Sequence, residues 1–409
     1  MTEFQPILAT LRRHKLIAGL LALLVALTCA IVCNVAFMIQ QHSALMNIPS
    51  GVAENQLVIL DSINLDRNAD QVARHQSDLA ALQMIPGVES VAAVDALPFN
   101  QNDWTNSIVV GPDIPKVITA HALMSAFNGT PGELKTLGLQ LVAGRDFRPD
   151  EYIPEGSAHD YDGLDKAPTA IITRALAERL FHGESALGKT IYTTPNPIRV
   201  VGVVANLVRP NVGTGTDNDF SVMLPMLPDT SDVTYVLRTR PQERERVLEQ
   251  AKSVLYRLDG NRVLRNDMTF QQLRNRYFQR DRTMISLLVA SALGLLFVAA
   301  LGITGLANFW VQQRTRTIGI RRALGATRGN ILHYFQTENF LIVTLGVVLG
   351  VLLAVGLNLL LMQHYELPRL PLWYLPVGAI ALWILGQLAV LAPALRASRV
   401  PPVVATRSV

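Results

Sequence analysis

The chain has 409 residues, half of them hydrophobic and only 17% charged, with a mean hydropathy of +0.27; this excludes an ordinary soluble enzyme and asks for a bilayer. Its formal charge of +4 is no sign of nucleic-acid binding, because residues 41–281 carry 23 Lys and Arg against 29 Asp and Glu, while the remainder carries 13 against 3. An acidic middle between basic ends is the positive-inside rule written into composition.

Residues 1–15 end in Arg12, Arg13 and Lys15 and lead into an uncharged stretch, 16–39, longer than the roughly 20 residues that cross hydrocarbon. That stretch is too long for the core of a secretory signal, about 7 to 15 residues, and Val35-Ala-Phe-Met38 is a poor cleavage site, so a retained anchor is expected over 16–40. Cys29 and Cys33 lie four apart on one face of it, where thiols pack as small apolar groups. With no cysteine in 41–281, that region must fold from burial alone, and it is large enough to do so.

Within it, 56–63 (QLVILDSI) reads as a strand, 68–84 as a helix and 88–97, after the Pro86-Gly87 turn, as a second strand. A second β-α-β unit follows at 232–240, 243–258 and 261–265. Two such units predict a split, ferredoxin-like layer, with roughly residues 100–225 inserted as a second lobe. Residues 269–282 are expected to form a helix running straight into the next membrane span.

Gly183-Glu-Ser-Ala-Leu-Gly-Lys-Thr190 satisfies the phosphate-loop pattern. A phosphate loop, however, needs a strand before it and a helix after it, so that backbone amides and the helix dipole face the anion. Here 172–181 is an amphipathic helix pattern and 191–204 is strand-like, so a helix end at Gly183 and a turn at Gly188 are expected instead. HExxH, CxxC and GxSxG patterns are absent, and His121 and His182 read as solvated surface rather than ligands.

Uncharged stretches at 283–313, 339–365 and 370–395 complete four expected transmembrane helices, the last two assigned to 330–363 and 370–395. Arg314, Arg316, Arg321, Arg322 and Arg328 separate the second from the third, and Arg396, Arg399 and Arg407 follow the fourth. Both termini and the segment 314–329 are therefore expected on the cytoplasmic side, with 41–281 outside. Spans without ionisable groups argue against ion-coupled transport. Gly346-Val-Val-Leu-Gly350 is a GxxxG pair, a weak sign of close helix contact.

In the segment Arg314-Thr-Arg-Thr-Ile-Gly-Ile-Arg-Arg-Ala-Leu-Gly-Ala326, Ile320, Ala323 and Leu324 share one face at helical spacing. A short helix resting on the membrane or a partner is expected, with Arg321 and Arg322 directed elsewhere, Gly325 as its stop and Thr327 as cap of the next helix. The plainer reading of the same residues is a basic loop that obeys the positive-inside rule.

These motifs, in this order, resemble a MacB-like, FtsX-domain permease of the ABC transporter superfamily. Phe4-Gln-Pro-Ile-Leu8 leading to Leu11-Arg-Arg-His-Lys15 is similar to that family's amphipathic opening, and Leu141-Val-Ala-Gly-Arg-Asp-Phe147 with 170–204 to its external domain. The segment 314–326 and Pro393-Ala-Leu-Arg-Ala-Ser-Arg399 with Pro402 resemble its cytoplasmic elements. The resemblance implies an α+β membrane protein of type VII ABC architecture. It would have four transmembrane helices, a MacB-like periplasmic core at 41–281 built of a porter-like lobe and an inserted sabre-like lobe, an FtsX-like permease domain at about 283–402 and a cytoplasmic tail at 396–409.

It further implies a non-catalytic subunit of the bacterial inner membrane, itself without cofactor or metal. A cytoplasmic ABC ATPase, expected on a separate polypeptide, would bind ATP and Mg. The permease would work against membrane lipid as a dimer with a second copy or a homologue, with a periplasmic adaptor as a further possible partner and no nucleic acid. Arg314, Arg316, Thr317, Ile318, Gly319, Ile320, Arg321, Arg322, Leu324 and Gly325 would seat on the ATPase. Closure there would move the external lobes through stalk helices, for export or extraction of a substrate; the alternative is a signalling or scaffold protein that activates a periplasmic partner. One position departs from the family pattern: Thr317 stands where an acidic residue is usual, which leaves the choice between homodimer and heterodimer open.

Overall fold

The computed structural model describes residues 15–66, 70–111, 122–154, 166–193, 196–365, 371 and 374–399. The 4–8 motif, Arg12 and Arg13, residue 68 of the first expected helix, His121, Pro402 and Arg407 lie outside the described residues. The chain divides into two compact units, Leu45–Arg280 and the paired segments Met1–Ala44 and Asp281–Val409.

Helix α1 (Lys15–Met46) opens the described chain. Then come β1 (Leu57–Asn64), α2 (Gln71–Gln83) and β2 (Val88–Val94). α2 starts one residue after Asp70, whose carboxylate accepts from the Ala73 amide at 3.1 Å and so satisfies one of the helix's orphan donors. The middle of the unit contributes β3 (Trp104–Ile108), β4 (Ala122–Asn128), α3 (Glu133–Leu137), β5 (Leu141–Gly144), β6 (Ile153–Pro154), β7 (Thr169–Thr173), α4 (Arg174–Phe181), β8 (Thr190–Ile191), β9 (Ile198–Val204), β10 (Ser221–Leu224) and β11 (Met226–Leu227). It closes with β12 (Asp232–Thr239), α5 (Arg244–Leu258), β13 (Arg262–Thr269) and α6 (Phe270–Tyr277).

Two sheets result. The first is antiparallel, in the order β13-β1-β12-β2, so each β-α-β unit lends strands that interleave with the other's. Its central strands are apolar on both faces because both are covered. Val58, Leu60, Tyr235 and Leu237 pack on Leu82 of α2 and Val247, Ala251 and Leu255 of α5, whereas Leu57, Ile59 and Val236 pack on Phe99, Phe270 and Phe278. A buried bidentate pair ties α2 to β13: Arg262 donates to both oxygens of Asp78 at 2.7 and 3.0 Å, and the Tyr235 hydroxyl donates to the same carboxylate at 2.6 Å. The second sheet, β3-β4-β10-β7-β9-β5 with β8 beside β9, is mixed and comes wholly from 104–224.

The stretch 172–181, read as helix from its sequence, splits. Thr169–Thr173 is a fully buried strand, and α4 begins at Arg174 with the Thr173 hydroxyl accepting from the Leu176 amide at 3.4 Å. A run of β-branched residues suits the centre of a sheet, and the threonine that ends it doubles as helix cap. Around the phosphate-loop pattern, α4 precedes and β8 follows, with His182, Gly183 and Gly188 at positive φ. Lys189 there is engaged by Glu184 and lies 4.8 Å over the Phe181 ring.

A further correction concerns the expected helix over 269–282. Thr269 caps α6 in a capping box with Gln272, but Phe278 leaves helical angles (φ −87°, ψ 12°) before α7 (Gln279–Gln313) begins. Its ring is buried edge-on to Phe99 at 5.3 Å, so burying the ring wins over continuing the helix.

The membrane unit holds α1 to Ala44, most of α7, α8 (Thr315–Ala323), α9 (Arg328–Tyr365) and α10 (Tyr374–Ser398). Among the described residues four helices are long and apolar enough to cross a membrane: Lys15–Met46, Gln279–Gln313, Arg328–Leu360 and Gly378–Ser398. The buried stripe of α1, Ala22, Val25, Ala26, Cys29, Cys33 and Phe37, repeats at helical spacing. It meets the GxxxG pair of α9 at very close range. A Cβ on Gly346 would stand 2.7 Å from that of Val25, and one on Gly350 2.5 Å from that of Cys29. Only glycine permits this approach. α10 docks on α9 and α7 through Asn339 to the Gly386 carbonyl and Thr304 to the Ala389 carbonyl, both 3.0 Å.

Candidate functional site

The basic segment between the second and third spans is a built element. α7 stops because Arg314 leaves helical geometry (φ −107°, ψ 9°) and the Thr315 hydroxyl donates to the carbonyls of Val311 and Gln312 at 3.1 and 2.9 Å, taking up acceptors the helix end leaves unpaired. α8 then runs from Thr315 and ends in a Schellman closure, with the Ala326 amide bonded to the Arg321 carbonyl, the Gly325 amide to the Arg322 carbonyl, and Gly325 at φ +99°. The Thr327 hydroxyl accepts from the Asn330 amide at 3.2 Å and starts α9. The helix, its stop and the next cap all fall where the spacing put them.

The sequence-predicted residues divide between two faces. Ile318 and Gly319 are buried, Ile318 in the cluster that includes Trp310, Ile331 and Phe335. Arg316, Thr317, Ile320, Arg321, Leu324 and Gly325 are exposed, Leu324 to 83%, and Arg322 is half-buried. The free face thus presents two aliphatic side chains among arginines. Arg321 is not simply directed away: its guanidinium lies 4.7 Å over the Tyr334 ring of α9, a cation–π contact.

Arg314 turns inward. Its Nη1 donates to both oxygens of Glu338 at 3.0 Å, and the guanidinium lies 4.8 Å over the Trp310 ring of α7. Side-chain exposures of 12% and 2% make this a buried pair. The expectation of charge-free spans is therefore corrected: α9 begins at Arg328, close to the expected start at 330, and carries Glu338, just ahead of the uncharged run, inside the bundle. The carboxylate is tolerated because it is ion-paired where it is desolvated. Sequence reasoning missed it because Glu338 sits one residue before the uncharged run. The one available signal was a lone acid at the edge of that run, near five arginines.

Among the described residues no group of three or more His, Cys, Asp or Glu could hold a metal ion. In the outer unit the signature at 141–147 is structural: Arg145 donates to both oxygens of Glu151 at 2.8 and 2.6 Å. That guanidinium holds the Glu151 carboxyl down at about 2. Glu133, by contrast, is pushed well above its ordinary value by burial and by the nearby charges of Asp95 and Asp146.

Two family models match the chain, the MacB-like periplasmic core domain over residues 20–258 and the FtsX-like permease C-terminal domain over 289–402. The chain belongs to the MacB-like, FtsX-domain ABC permease family. Among its curated MacB-type relatives is a macrolide export ATP-binding/permease protein of Aeromonas hydrophila, 29% identical over 71% of this chain and 45% of the relative. An uncharacterized ABC transporter permease of Bacillus subtilis, YknZ, is 22% identical over 68% of each. The chain spans about half the length of the macrolide-export relatives it matches. Its outer part is also similar to the periplasmic region of MacB from Actinobacillus actinomycetemcomitans, at 15% identity and a TM-score of 0.33 over 55% of this chain and 94% of that one. As a member of this family the chain is a membrane protein with four spanning helices and a large mixed α/β domain outside the membrane.

Proposed function

We propose that this chain is the permease subunit of an ATP-driven ABC transporter of the bacterial inner membrane, and that it transmits movement of an ABC ATPase to its outer domain. The observation that carries this reading is α8. It is a short helix held between two spanning helices, with Ile318 locked inward and Ile320 and Leu324 left outward among arginines. Such a face suits an apolar groove rimmed by carboxylates, and ATP and Mg would be bound by the partner that supplies it. Family membership supports the same role. Helices rise about 1.5 Å per residue as stiff rods, so α1 and α7 suit a lever, and within the membrane unit His42 of α1 meets Asp281 of α7 at 2.7 Å. On this reading the first sheet is the porter lobe, the second the sabre lobe, and both termini are cytoplasmic.

Purification of the tagged chain from its native membrane tests the proposal. An ABC ATPase should come with it, and the double variant Ile320→Asp, Leu324→Asp should reduce the recovered ATPase at least ten-fold. Recovery of no ATPase with the unaltered chain overturns the reading. An ATPase whose turnover switches an external partner without moving any ligand would instead make the chain a signalling subunit.

A further inference from the structure

We infer that Arg314 and Glu338 are positioning residues that set the angle of α8, and that this pair, rather than the exposed face of α8, converts ATPase movement into movement of the spanning helices. The inference rests on the proposal that α8 is where the ATPase acts. Arg314 is the single residue between α7 and α8, so its backbone is the joint and its side chain is the only one that belongs to neither helix. From that joint the guanidinium touches both flanking spans at once: Trp310 of α7 by its face and Glu338 of α9 by Nη1. The opposite end of α8 is a glycine at positive φ with open space where a Cβ would stand, followed by the half-buried Ala326. The buried ionic hold on α8 is at its Arg314 end.

Two details separate a joint from plain packing. The carboxylate is almost wholly buried, so Arg314 cannot move away without leaving a charge in an apolar surrounding, which makes intermediate positions costly. The second nitrogen, Nη2, is buried and has no hydrogen-bond partner among the described residues. The pair is held through Nη1 alone, which leaves Nη2 as a donor for a further contact. The cooperating contact of Arg321 on Tyr334 ties the middle of α8 to the same helix, α9, so a rotation of α8 is passed to α9 in preference to being absorbed by the loop.

A cysteine at position 318 reads the angle directly, because Ile318 is 4% exposed and becomes accessible only if α8 swings away. In inside-out vesicles, a membrane-impermeant maleimide should label Ile318→Cys slowly in the otherwise unaltered chain, the native Cys29 and Cys33 being buried in α1. Adding Arg314→Gln or Glu338→Gln should raise the rate at least ten-fold, and Arg314→Lys, which keeps the charge and so safeguards folding, should fall between. The exchange Arg314→Glu with Glu338→Arg should restore protection at least in part. With the copurified ATPase, Arg314→Gln should leave association within two-fold and lower permease-stimulated hydrolysis several-fold. Unchanged labelling in all variants overturns the inference, and so does joint loss of association and hydrolysis, which would make the pair a structural support only. If no ATPase accompanies the unaltered chain, the proposed function fails while the labelling still decides whether the pair sets the angle.

Discussion

At the scale of single residues, the informative positions are those where a charge is held away from water. Glu151 is held low by Arg145, to about 2 against an ordinary 4.5, so it favours the folded outer domain at every pH above about 4.5. That contribution is lost as pH falls from about 4.5 toward 2, because the unfolded chain takes up the proton first. Glu151→Gln should lower the thermal midpoint at pH 7 and flatten its decline between pH 5 and 3; an unchanged acid profile would show that the pair is energetically idle. Thr317 is exposed and four residues before Arg321. An acid placed there faces a base one turn on, in the favourable orientation and worth about 0.2–0.5 kcal/mol. Thr317→Glu should therefore be tolerated and should not lower stimulated ATP hydrolysis; a several-fold loss would mean that the partner surface is built for the hydroxyl. Glu338 marks the limit of reading residues one at a time: its identity is plain in the sequence, but its burial and its partner 24 positions away follow from helix packing.

At the scale of elements, the α1–α9 contact is decided by two glycines. A side chain at Gly350 would stand 2.5 Å from the Cys29 Cβ and 2.7 Å from the Ala26 carbonyl, which is backbone and cannot swing aside, whereas Gly356 on the same helix meets nothing within 4 Å. Gly350→Ala should destabilise by about 1–3 kcal/mol, the usual penalty of overpacking. Gly356→Ala should be neutral or mildly stabilising, since alanine favours helix by about 1 kcal/mol over glycine. Thermal unfolding of the two variants in the same lipid environment checks this, and equal midpoints would refute it. Periodicity showed the spans and the β-α-β units well, because both repeat over many residues. It failed at 172–181 and at Phe278, where one capping hydroxyl or one buried ring ends an element inside an unbroken pattern.

At the scale of the whole molecule, the family was legible through order: four apolar spans, a large outer domain between the first two, and a basic amphipathic segment between the second and third. The sequence by itself determined the apolar spans, the lack of cysteine in 41–281 and a short helix inside 314–326, because these depend on composition, spacing and local caps. Only the tertiary structure decided which glycines touch α1 and that Arg314 meets Glu338. Those contacts join residues far apart in the chain, and a buried charge or a missing Cβ acquires its meaning only from the neighbour that packing brings to it.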